Sequence, residues 1–216
     1  MEAGFWHQRW QSNEIAFHEG KPNELLARYF QAQFGAQGSR VFLPLCGKTR
    51  DIGWLLSQGY RVAGAELSGT AIEQLFTELA IAPERTDLGT HTRYSADGID
   101  ILVGDIFELS ASMLGTVDVV YDRAALVALP EAMRLRYAAH LSRITANAPQ
   151  FLLTFAYDQT CMDGPPFSVT GEEIRRCHGD RYALEQVTAR EVAGGLKGRC
   201  AATENLWLLS PKPSDA

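Results

Sequence analysis

Apolar positions along this chain fall into two alternating patterns. Short runs of strand length recur at Arg40–Leu43, Tyr60–Ala65, Ile99–Val103, Val117–Tyr121 and Phe151–Phe155. Between them, apolar residues return at three- and four-residue steps, as one face of a helix requires. Leu25, Leu26, Tyr29, Phe30 and Phe34 predict a helix over 23–34, with Asn23 placed to cap it and Gly35 and Gly38 to stop it. A second helix is predicted at about 50–58. Ser68 can cap a third, in which Ile72, Leu75, Phe76 and Leu79 share a face. Pro130 opens a fourth, carrying Met133, Tyr137, Leu141 and Ile144. A helix near 170–178 and two strands near 182–188 and 204–210 complete the pattern. Residues 81–98 are polar, contain Pro83, Gly89 and Gly98, and read as an exposed connection.

Apolar strands alternating with amphipathic helices predict an α/β fold, a mostly parallel sheet with helices on both faces. At 216 residues the chain has the length of a single domain spanning 1–216. Its 46% hydrophobic and 21% charged residues supply a core and exclude a disordered chain. The net charge of -6 argues against a nucleic-acid or anionic-membrane surface. No apolar stretch nears the ~20 residues of a membrane span, and Met1–His7 lack the pattern of a secretory signal. Cys46, Cys161, Cys177 and Cys200 form no C-x-x-C pair, so no metal site is expected and free thiols in the cytoplasm are.

In such sheets, ligands bind at the carboxyl ends of strands. The first apolar run leads into Pro44-Leu45-Cys46-Gly47-Lys48-Thr49. A Walker A loop needs a glycine five residues before the Gly of Gly-Lys-Thr, and Phe42 stands there. The G-x-G-x-x-G fingerprint is also missing, because Gly47 stands alone until Gly53. A pyrophosphate cofactor, and with it an NAD-dependent oxidoreductase, is therefore disfavoured. Yet the second strand ends in Glu66, 19 residues after Gly47, the spacing at which a carboxylate meets a ribose diol. The third ends at Asp105. Together they suggest a nucleoside cofactor without phosphates. S-adenosyl-L-methionine fits, with ribose on Glu66, the adenine amino group near Asp105 and the methionine part against the backbone of Leu45–Gly47. Each acid also has a plain reading as a helix cap.

Trp6-x-x-x-Trp10, Ala16-Phe17-His18, Pro44-Leu45-Cys46-Gly47-Lys48, Gly64-Ala65-Glu66-Leu67-Ser68, Asp122-Arg123-Ala124-Ala125-Leu126 and Gly164-Pro165-Pro166-Phe167 occur in this order. In these motifs, from about residue 6 to 209, the chain resembles the thiopurine S-methyltransferase family, and in the segment Gly194-Gly195-Leu196-Lys197-Gly198-Arg199 it resembles the bacterial members more than the animal ones. The resemblance implies a Rossmann-like class I methyltransferase fold with a seven-stranded sheet, one strand antiparallel. It implies that Trp6, Trp10 and Phe17, in an N-terminal segment of about 1–22, cover the cofactor. Leu45 and Gly47 would contact its methionine end, Glu66 its ribose, and Asp105 and Ile106 its adenine. Arg123 would touch cofactor and acceptor sulfur, and Phe17, Pro165 and Phe167 would bound the substrate. Trp6 and Trp10, four apart on one helix face, have plain packing as an alternative reading.

The resulting expectation is methyl transfer to the sulfur of an aromatic or heterocyclic thiol, in a monomer. Arg123 would stabilise the thiolate, with Asp122 as the fallback base. Small thiols, halide or selenium and tellurium species are alternative acceptors, and a non-catalytic binding module is a further one. The segment 5–20 shows little that looks like an independent element and is expected to order on cofactor binding.

Overall fold

A computed structural model describes residues 3–12, 20–35 and 37–213. The chain divides into two compact units, Met1–Val119 and Val120–Ala216.

The first unit contains helices α1 (Ala3–Gln11), α2 (Glu24–Phe34), α3 (Arg50–Ser57), α4 (Gly69–Leu79) and α5 (Ala111–Leu114), with strands β1 (Arg40–Pro44), β2 (Arg61–Glu66), β3 (Glu84–Asp87), β4 (Thr92–Ala96) and β5 (Ile99–Val103). β1 pairs in parallel with β2, and β2 with β5. Phe42, Val62, Ala63 and Ile101 are buried in these strands, and Ile52, Leu55, Ile72 and Leu75 in α3 and α4. Each large apolar side chain so buried contributes roughly 1.5–3 kcal/mol. The predicted caps are present. Asn23 Oδ1 accepts from the N–H groups of Leu25 and Leu26, and Ser68 Oγ from that of Ala71.

Two expectations fail here. Residues 81–98 are not a plain connection: β3 and β4 form an antiparallel hairpin, and β4 pairs antiparallel with β5. Its anchor is Tyr94, buried and stacked on Phe76 of α4 at 6.1 Å, with the Arg85 guanidinium 4.8 Å from the Tyr94 ring centre. The N-terminal stretch also holds a regular element, α1, which packs against α4.

The second unit contains β6 (Val119–Asp122), α6 (Glu131–Ile144), β7 (Gln150–Tyr157), α7 (Gly171–His178), β8 (Tyr182–Glu191) and β9 (Ala202–Pro211). β6 and β7 are parallel; β9 runs antiparallel to both β7 and β8. The described residues thus hold nine strands, not seven, and antiparallel pairing is not confined to one strand. Tyr137 and Leu141 of α6 are fully buried as predicted, whereas Met133 is only half-buried. Among the described residues no helix is long and apolar enough to cross a membrane, and no group of three or more ligating side chains could hold a metal ion.

His178 at the end of α7 is buried, and neither ring nitrogen has a hydrogen-bond partner among the described residues. Burial, helped by the positive Arg181, lowers its pKa from 6.5 to about 4. Between those values the unfolded chain binds a proton that the native state refuses, so this group removes stability as pH falls, about 3 kcal/mol in all. Asp122 has the opposite sign: burial raises its pKa from 3.8 to about 6, so stability falls as pH rises through that window. The two slopes largely oppose each other between pH 4 and 6. Replacing His178 by Phe removes its slope and leaves that of Asp122 unopposed by it. Urea unfolding should show the variant gaining about 3 kcal/mol on wild type between pH 7 and pH 4. A difference independent of pH would place a charged imidazole in the folded protein.

Candidate functional site

In the first unit, the turn after β1 is strained. Leu45 has φ 48°, left-handed for a residue with a Cβ, a conformation that costs roughly 1–3 kcal/mol. Two bonds to the end of β2 hold it: Cys46 N–H donates to Ala65 O at 2.9 Å, and Gly47 N–H to Glu66 Oε2 at 2.8 Å. Gly47 is itself left-handed at φ 52°, and a Cβ there would sit 3.0 Å from Cζ2 of Trp10. Glycine here avoids both the strain of a left-handed Cβ and a tight contact with the buried Trp10 ring. Trp6, one turn earlier on α1, is half-buried and meets Phe5 edge-on at 5.2 Å. Phe17, expected beside them, lies outside the described residues.

Glu66 is 6% exposed. Its Oε1 accepts from the N–H of Ser68 at 2.9 Å, and a bond from the N–H of Leu67 joins those of Ser68 and Gly47. Burial raises its pKa despite these three donors. A carboxylate has about four acceptor sites, so capacity remains for a ribose hydroxyl, and the residue fits the nucleoside reading. The Gly47 N–H is committed to Glu66.

Asp105 follows β5 and is exposed. Its Oδ1 accepts from Phe107 N–H at 2.9 Å and so caps the short 3-10 helix Ile106–Glu108, in which Ile106 is buried. His91 Nε2 lies 3.1 Å from the Asp105 carbonyl oxygen. Sequence reasoning missed His91, because it sits in the stretch read as a connection.

In the second unit, β6 ends at Asp122, which is 1% exposed. Its Oδ1 accepts from Leu126 N–H at 3.0 Å and its Oδ2 from Tyr137 hydroxyl at 2.8 Å. Asp122 and Tyr137 are both buried, and the Tyr137 pKa is raised well above 10 by burial and by the adjacent carboxylate. These bonds make Asp122 the anchor of the 122–126 turn. Within that turn Ala124 is left-handed at φ 62°, and Arg123 is half-buried. The anchor thus fixes the peptide from which the guanidinium projects.

The Pro165–Phe167 loop is tied at several points. Phe167 N–H donates to Val127 O at 2.6 Å, Tyr157 hydroxyl to Pro166 O at 2.6 Å, and Lys197 Nζ to Pro165 O at 2.7 Å. Beneath it lies Arg134, 3% exposed, with its guanidinium 5.6 Å from the Phe167 ring centre. Arg134 donates from Nε to Leu129 O at 2.8 Å and from Nη1 to Ser168 O at 3.3 Å, and it pairs with Glu173 at 2.8 Å. In sequence it is one more polar position on α6.

A family model described as Thiopurine S-methyltransferase (TPMT) matches residues 1–209. A thiopurine S-methyltransferase of Xanthobacter autotrophicus is 57% identical over 210 residues, 97% of this chain and 99% of that protein. One of Teredinibacter turnerae is 51% identical over 210 residues, 97% of this chain and 98% of that protein. Among solved structures, an S-adenosylmethionine-dependent methyltransferase from Anabaena variabilis superposes with TM-score 0.64 at 16% identity, covering 96% of this chain and 95% of that one. A 1,6-didemethyltoxoflavin-N1-methyltransferase from Burkholderia thailandensis gives TM-score 0.66 at 13% identity, covering 96% and 87%. At such identities the likeness shows the fold, the Rossmann-like α/β architecture of these methyltransferases. The motifs at Gly47, Glu66 and Asp122-Arg123, the fold and the match over residues 1–209 agree: the chain belongs to the thiopurine S-methyltransferase family.

Proposed function

We propose that the protein is an S-adenosylmethionine-dependent methyltransferase that methylates the sulfur of aromatic or heterocyclic thiols such as thiopurines. The observation that carries this reading is the buried Glu66 carboxylate at the end of β2, held by backbone N–H groups and set against the strained Leu45–Gly47 turn. The cofactor, when bound, supplies an electrophilic methyl group on a sulfonium. Glu66 holds the ribose, Asp105 and Ile106 the adenine, Leu45 and Gly47 the methionine chain, and Trp6, Trp10 and Phe17 cover it. Arg123 orients the acceptor and stabilises its thiolate; Pro165 and Phe167 bound its ring. A thiol with pKa near 8.5 is already partly ionised at neutral pH, so positioning and charge stabilisation suffice and Asp122 acts by holding the Arg123 turn. The reading extends to one domain over 1–216, acting as a cytoplasmic monomer on a small molecule, without nucleic acid, membrane or metal.

The direct test is a panel of aromatic and small thiols, halides and oxidised selenium species with methyl-labelled cofactor, read by product mass. Methylation of halide or selenium species in preference to every thiol would overturn the thiol assignment. Glu66→Ala is expected to weaken binding of S-adenosylhomocysteine by about 1–3 kcal/mol, the usual loss for a hydrogen-bonded polar site. Calorimetry on the folded variant decides; unchanged affinity would remove Glu66 from the ribose.

A further inference from the structure

We propose that His91 is a positioning residue for the adenine end of the cofactor, acting through the Asp105 peptide. The inference rests on the reading above, in which Asp105 meets the adenine amino group. His91 lies between β3 and β4, 2% exposed, where Leu88 N–H donates to its carbonyl at 2.8 Å. A carbonyl oxygen can only accept, so the 3.1 Å contact with Asp105 O places a proton on Nε2. Nδ1 faces Thr90 Oγ1 at 3.0 Å. The Asp105 carbonyl receives a second donor, Glu108 N–H, at 2.9 Å. With Oδ1 held by Phe107 N–H, the main chain and one carboxylate oxygen of Asp105 are fixed.

Gly104 makes the fit specific. A Cβ there would lie 2.5–2.8 Å from three atoms of the His91 ring, so the imidazole rests on the bare backbone that leads β5 into Asp105. The hairpin therefore does more than extend the sheet. It brings one ring whose edge sets the rotation of the peptide carrying the adenine acceptor. Loss of the Nε2 donor leaves the ring space filled and Glu108 N–H as the carbonyl's remaining donor, which loosens the setting of that peptide.

The test compares S-adenosylhomocysteine with S-inosylhomocysteine, whose ring carries a carbonyl where adenine has its amino group. Wild type should prefer the adenine ligand because Asp105 accepts from the amino group. His91→Phe should weaken binding of S-adenosylhomocysteine about three- to tenfold, reduce the adenine preference, and raise KM for S-adenosylmethionine with kcat and the thiol KM unchanged. His91→Gln, which returns a donor near Nε2, should recover most of both. Thr90→Val, at an exposed position, should lower the preference slightly. A purely structural role would weaken both ligands equally, and that result in His91→Phe, or no change in it and in Thr90→Val, overturns the proposal. If Asp105→Asn leaves the preference unchanged, the adenine assignment itself falls. If Asp105→Asn lowers it and neither His91→Phe nor Thr90→Val does, only the role of His91 falls.

Discussion

Arg123→Met should lower kcat/KM for an aromatic thiol by about ten- to a thousandfold, roughly 1.4–4 kcal/mol of transition-state stabilisation, while affinity for S-adenosylhomocysteine stays nearly unchanged. Methionine keeps a similar length but removes charge and donors. Arginine stays protonated near neutral pH and cannot act as a base there; what it supplies is attraction for a thiolate. The deficit should therefore shrink as pH rises past the thiol's own pKa, where the acceptor ionises without help. An equal loss at every pH would mean that Arg123 positions the acceptor sterically. Wild-type activity would take it out of the site. The anchor below it gives a second handle. Tyr137→Phe removes the hydroxyl from Asp122 Oδ2 and leaves the Leu126 bond intact. The thiol reaction should then weaken by less than in Arg123→Met, with the same dependence on pH.

How much of this was readable in the sequence follows from what kind of contact each element needs. The parallel strands β1, β2, β5, β6 and β7 are continuous apolar runs because both faces are covered, and all were found within a few residues. Asn23 and Ser68 were legible because a cap is satisfied by the residues that follow it. The β3–β4 hairpin was not. Glu84–Asp87 are all exposed, and the hairpin depends on Tyr94 reaching Phe76, a contact made eighteen positions away in the chain. The far end of β8, out to Glu191, is hidden for the same reason, since its polar residues follow β9 through backbone pairing and the Arg190–Glu204 ion pair, contacts distant in the chain.

The site divides along the same line. Gly47 and Glu66 announce themselves by spacing, and the structure adds that they bond each other. The place of Asp122 in the turn was open in sequence, because its second partner, Tyr137, reads as one more core aromatic on α6. His91 and Arg134 were invisible. Their partners are largely main-chain carbonyls, which every residue carries and which leave no mark on residue type.

Arg134 carries the largest expected effect on stability. It is a buried cation whose donors are distributed over Leu129 O, Ser168 O and the Glu173 carboxylate, itself 16% exposed. Arg134→Met retains the apolar stem, which can still pack under Phe167. It leaves two carbonyls short of a donor and Glu173 paired with the more exposed Arg176 at 3.0 Å. Removing one partner of a buried pair costs about 3–5 kcal/mol, and urea unfolding should show a loss of that size. Glu173→Gln keeps a hydrogen-bond acceptor for Arg134 and should cost less. Arg134→Lys restores charge but not the planar fork that reaches three acceptors at once, and should recover only part of the loss. Because Arg134 fixes Ser168 and underlies Phe167, the folded variant should also show a raised KM for aromatic thiols with cofactor affinity intact. Faster amide exchange should be confined to the segment around 164–169. Arg134→Met as stable as wild type would mean that the pair roughly breaks even against an apolar side chain. A normal thiol KM alongside reduced stability would separate the Phe167 loop from acceptor binding.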